Sequence, residues 1–138
     1  MIILDSNVLS ALMHPVQDPV VIRWLDRQPP VSLWTTSITI FEIRFGIESM
    51  PCGKRQTVMK AAFDQWLNRI IQERIAHFDA TAARCAADLA ADRQRRGRPK
   101  ELRDAMIAGI VLASHATLAT RNVKHFEDIA KSVVNPWG

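Results

Sequence analysis

Three carboxylates stand where a folded chain has to account for them. Asp5 directly follows the apolar run Met1 to Leu4, Glu42 lies one helical turn from both Ile38 and Phe45, and Asp104 lies one turn from Ile107 and Ala108 and two from Val111. Each acid therefore borders an apolar face. Gathering three anions in a partly buried cleft costs desolvation and mutual repulsion unless a positive charge joins them. Oxygen donors without Cys or His suit a hard ion, so Mg²⁺ or Mn²⁺ is the natural cofactor and Asp5, Glu42 and Asp104 its candidate ligands. Such an ion polarises a phosphoryl oxygen and activates water, the chemistry of phosphodiester hydrolysis.

A basic tract lies beside the third acid. Residues 93–103, RQRRGRPKELR, carry six basic side chains against Glu101. Gly97 ends one helix and Pro99 suits the first turn of the next, so the charges project from a loop and its flanking helix ends. A charge run in isolation reads equally well as solvated surface. Its place beside Asp104 makes Arg95, Arg96, Arg98 and Lys100 candidate contacts to a nucleic-acid backbone, and the net charge of +4 permits that attraction.

The elements that must hold these residues alternate between strand and helix. Strands are expected at 1–4, 31–36, 75–78 and 116–120, with an edge strand at 132–135. Helices are expected at 6–13, 19–27, 38–49, 54–72, 80–96 and 100–114, with a short one at 126–131. Ser37 is placed to cap the helix that carries Glu42, and Ile38, Phe41, Glu42 and Phe45 share one of its sides. Asp79 repeats the strand-then-acid arrangement of Asp5, but the alanine-rich stretch after it makes it a helix cap. The alternation gives a three-layer α/β/α sandwich with a mostly parallel sheet of four to five strands. In such sheets, ligands sit beyond the carboxyl ends of the strands, where Asp5 stands.

Length and composition bound the remaining choices. A chain of 138 residues that is 48% hydrophobic and 23% charged fits one globular domain spanning 1–138. No run reaches the roughly 18 apolar residues of a spanning helix, and the start lacks the features of a signal peptide, so no membrane association and a cytoplasmic location are expected. Cys52 and Cys85 are unpaired in pattern, and His14, His77, His115 and His125 are scattered, which leaves little basis for a zinc site.

Four segments together resemble the PIN domain family over essentially the whole chain: ILDSNVLS, TSITIFEIRFGI with Glu42, RPKELRDAMIAGIVLA with Asp104, and LATRNVKHFE. The likeness is greatest to the VapC and FitB branch, the toxins of bacterial type II toxin–antitoxin systems. It implies a metal-dependent endoribonuclease that is usually a homodimer. A cognate small antitoxin would hold it inactive and supply binding to operator DNA. Carried across residue by residue, Asp5, Glu42 and Asp104 match the principal metal-binding acids, Ser6 and Asn7 the polar pair after the first, and Thr120 the polar residue ending strand four. The family's fourth acidic position falls at Asn122, or at His125. Neither is a carboxylate, so at least one ion is expected and a second stays open, with Asn122 able to bind through its amide oxygen or a water.

Two other readings compete. The missing fourth acid suits a regulatory protein that acts with its antitoxin on operator DNA and has little nuclease activity. An aspartyl-phosphate phosphatase using Asp5 as nucleophile is disfavoured, because Asn7 stands where a second Asp is needed.

Overall fold

The computed structural model describes residues 1–99 and 101–138. Lys100, one of the candidate RNA contacts, lies outside the described residues. At the centre is a five-stranded sheet of β1 (Ile2–Leu4), β2 (Leu33–Thr36), β3 (Ile75–Ala76), β4 (Thr117–Ala119) and β5 (Val133–Val134), in the order β3-β2-β1-β4-β5. Every neighbouring pair is parallel. The expected sandwich is therefore realised, at the upper strand count and without an antiparallel edge.

Strand alternation explains the three layers. Ile3 and Leu118 point into one core with Ala82, Ile107, Ile110, Val111 and Phe126, while Leu4 and Ala119 point into another with Val8, Leu9, Ile43, Ile47 and Phe63. The first core is closed by α5 (Ala80–Arg95) and α6 (Leu102–Ser114), the second by α1 (Ser6–Met13), α2 (Pro19–Asp26), α3 (Ser37–Glu48) and α4 (Lys54–Trp66). Gly109 lets α5 and α6 approach closely, since a Cβ there would meet the Ala82 carbonyl oxygen at 2.5 Å and the Ala86 Cβ at 2.7 Å.

Several local expectations shift for physical reasons. Strand two begins later than residue 31 because Pro30–Ser32 form a 3₁₀ turn, closed by the Ser32 amide and hydroxyl on the Pro29 carbonyl. The helix expected over 54–72 ends as α at Trp66 and continues as a π turn, Leu67–Ile71, with the Gln72 amide reaching Leu67 O at 2.6 Å. Thr36, not Ser37, caps α3, accepting from the Thr39 amide at 2.9 Å, while Ser37 accepts from the Phe78 amide and ties the helix start to the end of β3. The buried stripe of α3 is Thr39, Ile43 and Ile47, so Phe41 and Phe45 lie outside it, 60% and 61% exposed and stacked on one another. Asp79 caps α5 as expected, through the Ala82 amide.

Because every strand runs the same way, the residues that follow β1, β2 and β4 emerge along one edge of the sheet. Helix α6 runs back toward β4, so its first turn, with Asp104, returns to that same edge. No described helix is long and apolar enough to cross a membrane.

Candidate active site

Asp5 is the most constrained of the acids. As the N-cap of α1 it accepts the Ser6 amide on Oδ1 at 2.8 Å, and on Oδ2 it accepts the Thr120 hydroxyl at 2.8 Å and the Asn7 amide nitrogen at 3.2 Å. Asn7 has only one possible orientation here. Its oxygen accepts the Arg121 backbone amide at 3.0 Å, which turns its NH₂ toward both Asp5 and the Thr120 hydroxyl. Thr120 is fully buried and saturated, donating to Asp5 while accepting from Asn7 and from the Asn122 amide at 3.0 Å. Ser6 acts through its main chain, and its residue borders a neighbouring cleft.

Burial raises the Asp5 pKa above the usual carboxylate value, and the negative charge of Asp104 adds to that; the bonds from Thr120, Ser6 and Asn7 oppose it. Glu42 is raised too, first by burial and then by the charge of Asp5, with Arg103 opposing. Asp5, Glu42 and Asp104 thus lie at one edge of the sheet, near enough for the charge of Asp104 to act on both of the others. Among the described residues, Glu42 is held on one side only: Oε2 meets the Arg103 guanidinium at 3.5 Å, while Oε1 is buried with no hydrogen-bond partner. Asp104 Oδ2 accepts from the His125 ring at Nδ1, 3.0 Å away. A cleft of about 310 Å³ opens beside Glu42 and is bordered by Ser6, Ser10, Gly46 and Arg103.

Among the described residues, no three His, Cys, Asp or Glu side chains already stand at distances that would hold an ion. The donor chemistry nevertheless fits a hard divalent cation. The charge of Asp104 raises the charging cost of both Asp5 and Glu42, the donors are all oxygen, and among the described residues the buried Oε1 of Glu42 is an acceptor with nothing to accept. Among the described residues, the one cation paired with Glu42 is the half-exposed Arg103, at the limit of hydrogen-bonding distance.

The structure separates the other candidates. Asn122 is exposed and contributes its backbone amide to Thr120 and its carbonyl to the His125 amide. Arg95 and Arg96 pair with Asp92, and Arg98 pairs with Glu127; Arg96 and Arg98 border a second cavity of about 320 Å³ with Arg93 and Asp128. Arg93, 4% exposed, holds Asp128 with bonds of 2.6 and 2.9 Å and the His125 carbonyl at 3.3 Å. Two side chains gain a role that spacing alone did not mark. Arg103, counted only as part of the basic tract, reaches Glu42, a signal present in its adjacency to Asp104. Arg121 lies in the Thr120–Asn122 segment, and its guanidinium sits 4.9 Å over the Trp137 ring.

Comparison with known proteins places this arrangement. The model of the PIN domain matches residues 2–132. The chain is 37% identical to the plasmid stability protein StbB of Pseudomonas syringae pv. tomato, over 99% of both chains. It is 35% identical to VapC ribonuclease Y4jK of Sinorhizobium fredii, over 99% of this chain and 98% of that one. The structure of FitAB bound to an IR36 DNA fragment superposes with a TM-score of 0.90 at 29% identity, covering 100% of this chain and 96% of the other. A family model spanning nearly the whole chain, on a five-stranded parallel sheet with its acids at one edge, establishes that the chain belongs to the PIN domain family.

Proposed function

We propose that this chain is the toxin of a toxin–antitoxin pair and acts as a divalent-metal-dependent endoribonuclease. The observation that carries the proposal is the gathering of Asp5, Glu42 and Asp104 at one sheet edge, with a buried Glu42 oxygen that has no hydrogen-bond partner among the described residues. The names of its relatives support it: one is a VapC ribonuclease, and FitAB is a complex seen on DNA.

Asp5, Glu42 and Asp104 would hold Mg²⁺ or Mn²⁺, at least one ion, which supplies Lewis acidity toward the phosphoryl oxygen and activates water. The protein's own residues then have distinct tasks. Asn7, Thr120 and the Ser6 amide fix the Asp5 carboxylate so that its orientation is set before substrate arrives. His125 orients Asp104, and Arg103 offsets charge at Glu42 while facing the cleft. Asn122, whose side chain is exposed, would add its amide oxygen directly or through a water. The exposed Arg95, Arg96 and Arg98 contribute long-range attraction for RNA, for their ion pairs are surface pairs of small worth.

The proposal includes a cytoplasmic homodimer, a small antitoxin partner, and contact with operator DNA only through that partner. Incubation of the purified, antitoxin-free protein with an RNA pool tests the catalytic part. Cleavage in Mg²⁺ or Mn²⁺ and its loss in EDTA are expected; cleavage indifferent to EDTA would contradict the metal dependence. An active preparation also excludes the purely regulatory reading.

A further inference from the structure

Arg121 emerges immediately after Thr120, at the end of β4. Its backbone amide is bonded to Asn7, whose side chain is bonded in turn to Asp5. The residue is therefore anchored to the acidic site through its main chain, while its side chain is exposed and points elsewhere. Among the described residues, no carboxylate forms a salt bridge with Arg121. This contrasts with Arg103, which pairs with Glu42 and Glu101, and with the paired arginines of the 93–98 tract.

The guanidinium instead rests on the Trp137 ring, 4.9 Å from its centroid. That ring is itself fixed. Its Nε1 donates to Asp18 Oδ2 at 3.1 Å, and its backbone amide donates to Asn135 Oδ1 at 2.9 Å. Asp18 uses its other oxygen to cap α2, so the platform under Arg121 is tied to β5 and to the start of α2. A planar cation held on an aromatic face keeps its donor edges open, and it gives up less rotamer freedom on binding than a free side chain would. Its donors match the oxygens of a phosphate.

We propose that Arg121, held on Trp137, is a substrate-binding residue that contacts an RNA phosphate flanking the scissile one. The strand then leaves the acidic centre along the β4–β5 side of the sheet edge, not over the 93–100 tract. This inference rests on the ribonuclease reading, and its test is kept separate from catalysis by measuring binding.

The measurement is fluorescence anisotropy of a labelled single-stranded RNA oligonucleotide, titrated at several salt concentrations with protein carrying Asp104→Asn to suppress cleavage. Adding Arg121→Gln should weaken binding and reduce the slope of log K against log salt by about 0.7, the share of one phosphate contact on a single strand. Arg121→Lys should keep the slope while losing part of the affinity, because the charge stays and the forked donors of the guanidinium go. Trp137→Phe should preserve binding, and Trp137→Ala should weaken it toward the Arg121→Gln level. Mn²⁺-induced thermal stabilisation of protein with native Asp104 should be the same with and without Arg121→Gln, which reports an intact acidic site. Unchanged affinity and slope in Arg121→Gln, or no measurable RNA binding by the Asp104→Asn parent, overturns the inference. Absence of cleavage by the unmodified protein instead overturns the ribonuclease reading, and leaves the binding result to be judged on its own.

Discussion

At the scale of single residues, the site separates the acids from the groups that hold them. Replacing Asp5 or Asp104 by Asn, or Glu42 by Gln, should abolish RNA cleavage and Mn²⁺ binding measured by calorimetry. Thr120→Val and Asn7→Ala should cost less, roughly 10- to 100-fold in activity, because they loosen an acid without removing it. Equal losses in the two groups would contradict the division. The raised pKa values of Asp5 and Glu42 carry a sign. In the metal-free protein the native state retains protons that the unfolded state has already released, so stability falls as pH rises from the usual carboxylate value through the raised one. Urea unfolding in EDTA across that interval should show the decline, and Asp5→Asn should flatten it. A wild-type stability that rises relative to Asp5→Asn over the same interval would reverse the assignment.

At the scale of elements, the site is assembled by junctions. Asp5 caps α1, Thr36 caps α3, and the first turn of α6 returns Asp104 to the sheet edge. The kinked 3₁₀ stretch Val123–Ser132, which carries His125 and is preceded by Asn122 as its N-cap, is held to α5 by the pair of buried Arg93 and the more exposed Asp128. Removing Asp128 takes the carboxylate from the buried Arg93 guanidinium, so Asp128→Ala should destabilise by about 1–3 kcal/mol in chemical unfolding. Gly109→Ala should cost about 1–3 kcal/mol by forcing α5 away from α6, even though alanine is the better helix former. Either change proving neutral would show that these contacts do not fix the frame. The same junctions explain what the sequence made legible. Strand-helix alternation, the Asp79 cap and the three acids could be read because each depends on local pattern or on charge beside an apolar run. The position of Phe41 and Phe45 could not, since several apolar faces of α3 compete and only packing against α1 and α4 decides which is buried. The pairing of Arg93 with Asp128 and the stacking of Arg121 on Trp137 join distant segments and leave no periodic trace.

At the scale of the whole molecule, a parallel sheet brings three acids from separate segments to one edge, where the proposed function has a bound cation offset their repulsion. The basic surplus is distributed unevenly around that edge. Arginines 95, 96 and 98 are engaged with Asp92 and Glu127, whereas Arg103 and Arg121 adjoin the acidic site through Glu42 and Asn7. Sedimentation of the purified chain, alone and with its antitoxin, should show a dimer and its complex; a strictly monomeric chain in both would remove the homodimer from the proposal. The central claim is that the acids and a divalent ion cut RNA by hydrolysis. Mapping cleavage ends at nucleotide resolution, with Mg²⁺ and with EDTA, tests it most directly. Discrete cuts that carry no 2′,3′-cyclic phosphate and vanish in EDTA and in Asp104→Asn are predicted; cyclic-phosphate ends, or the same cuts without metal or without Asp104, would contradict it.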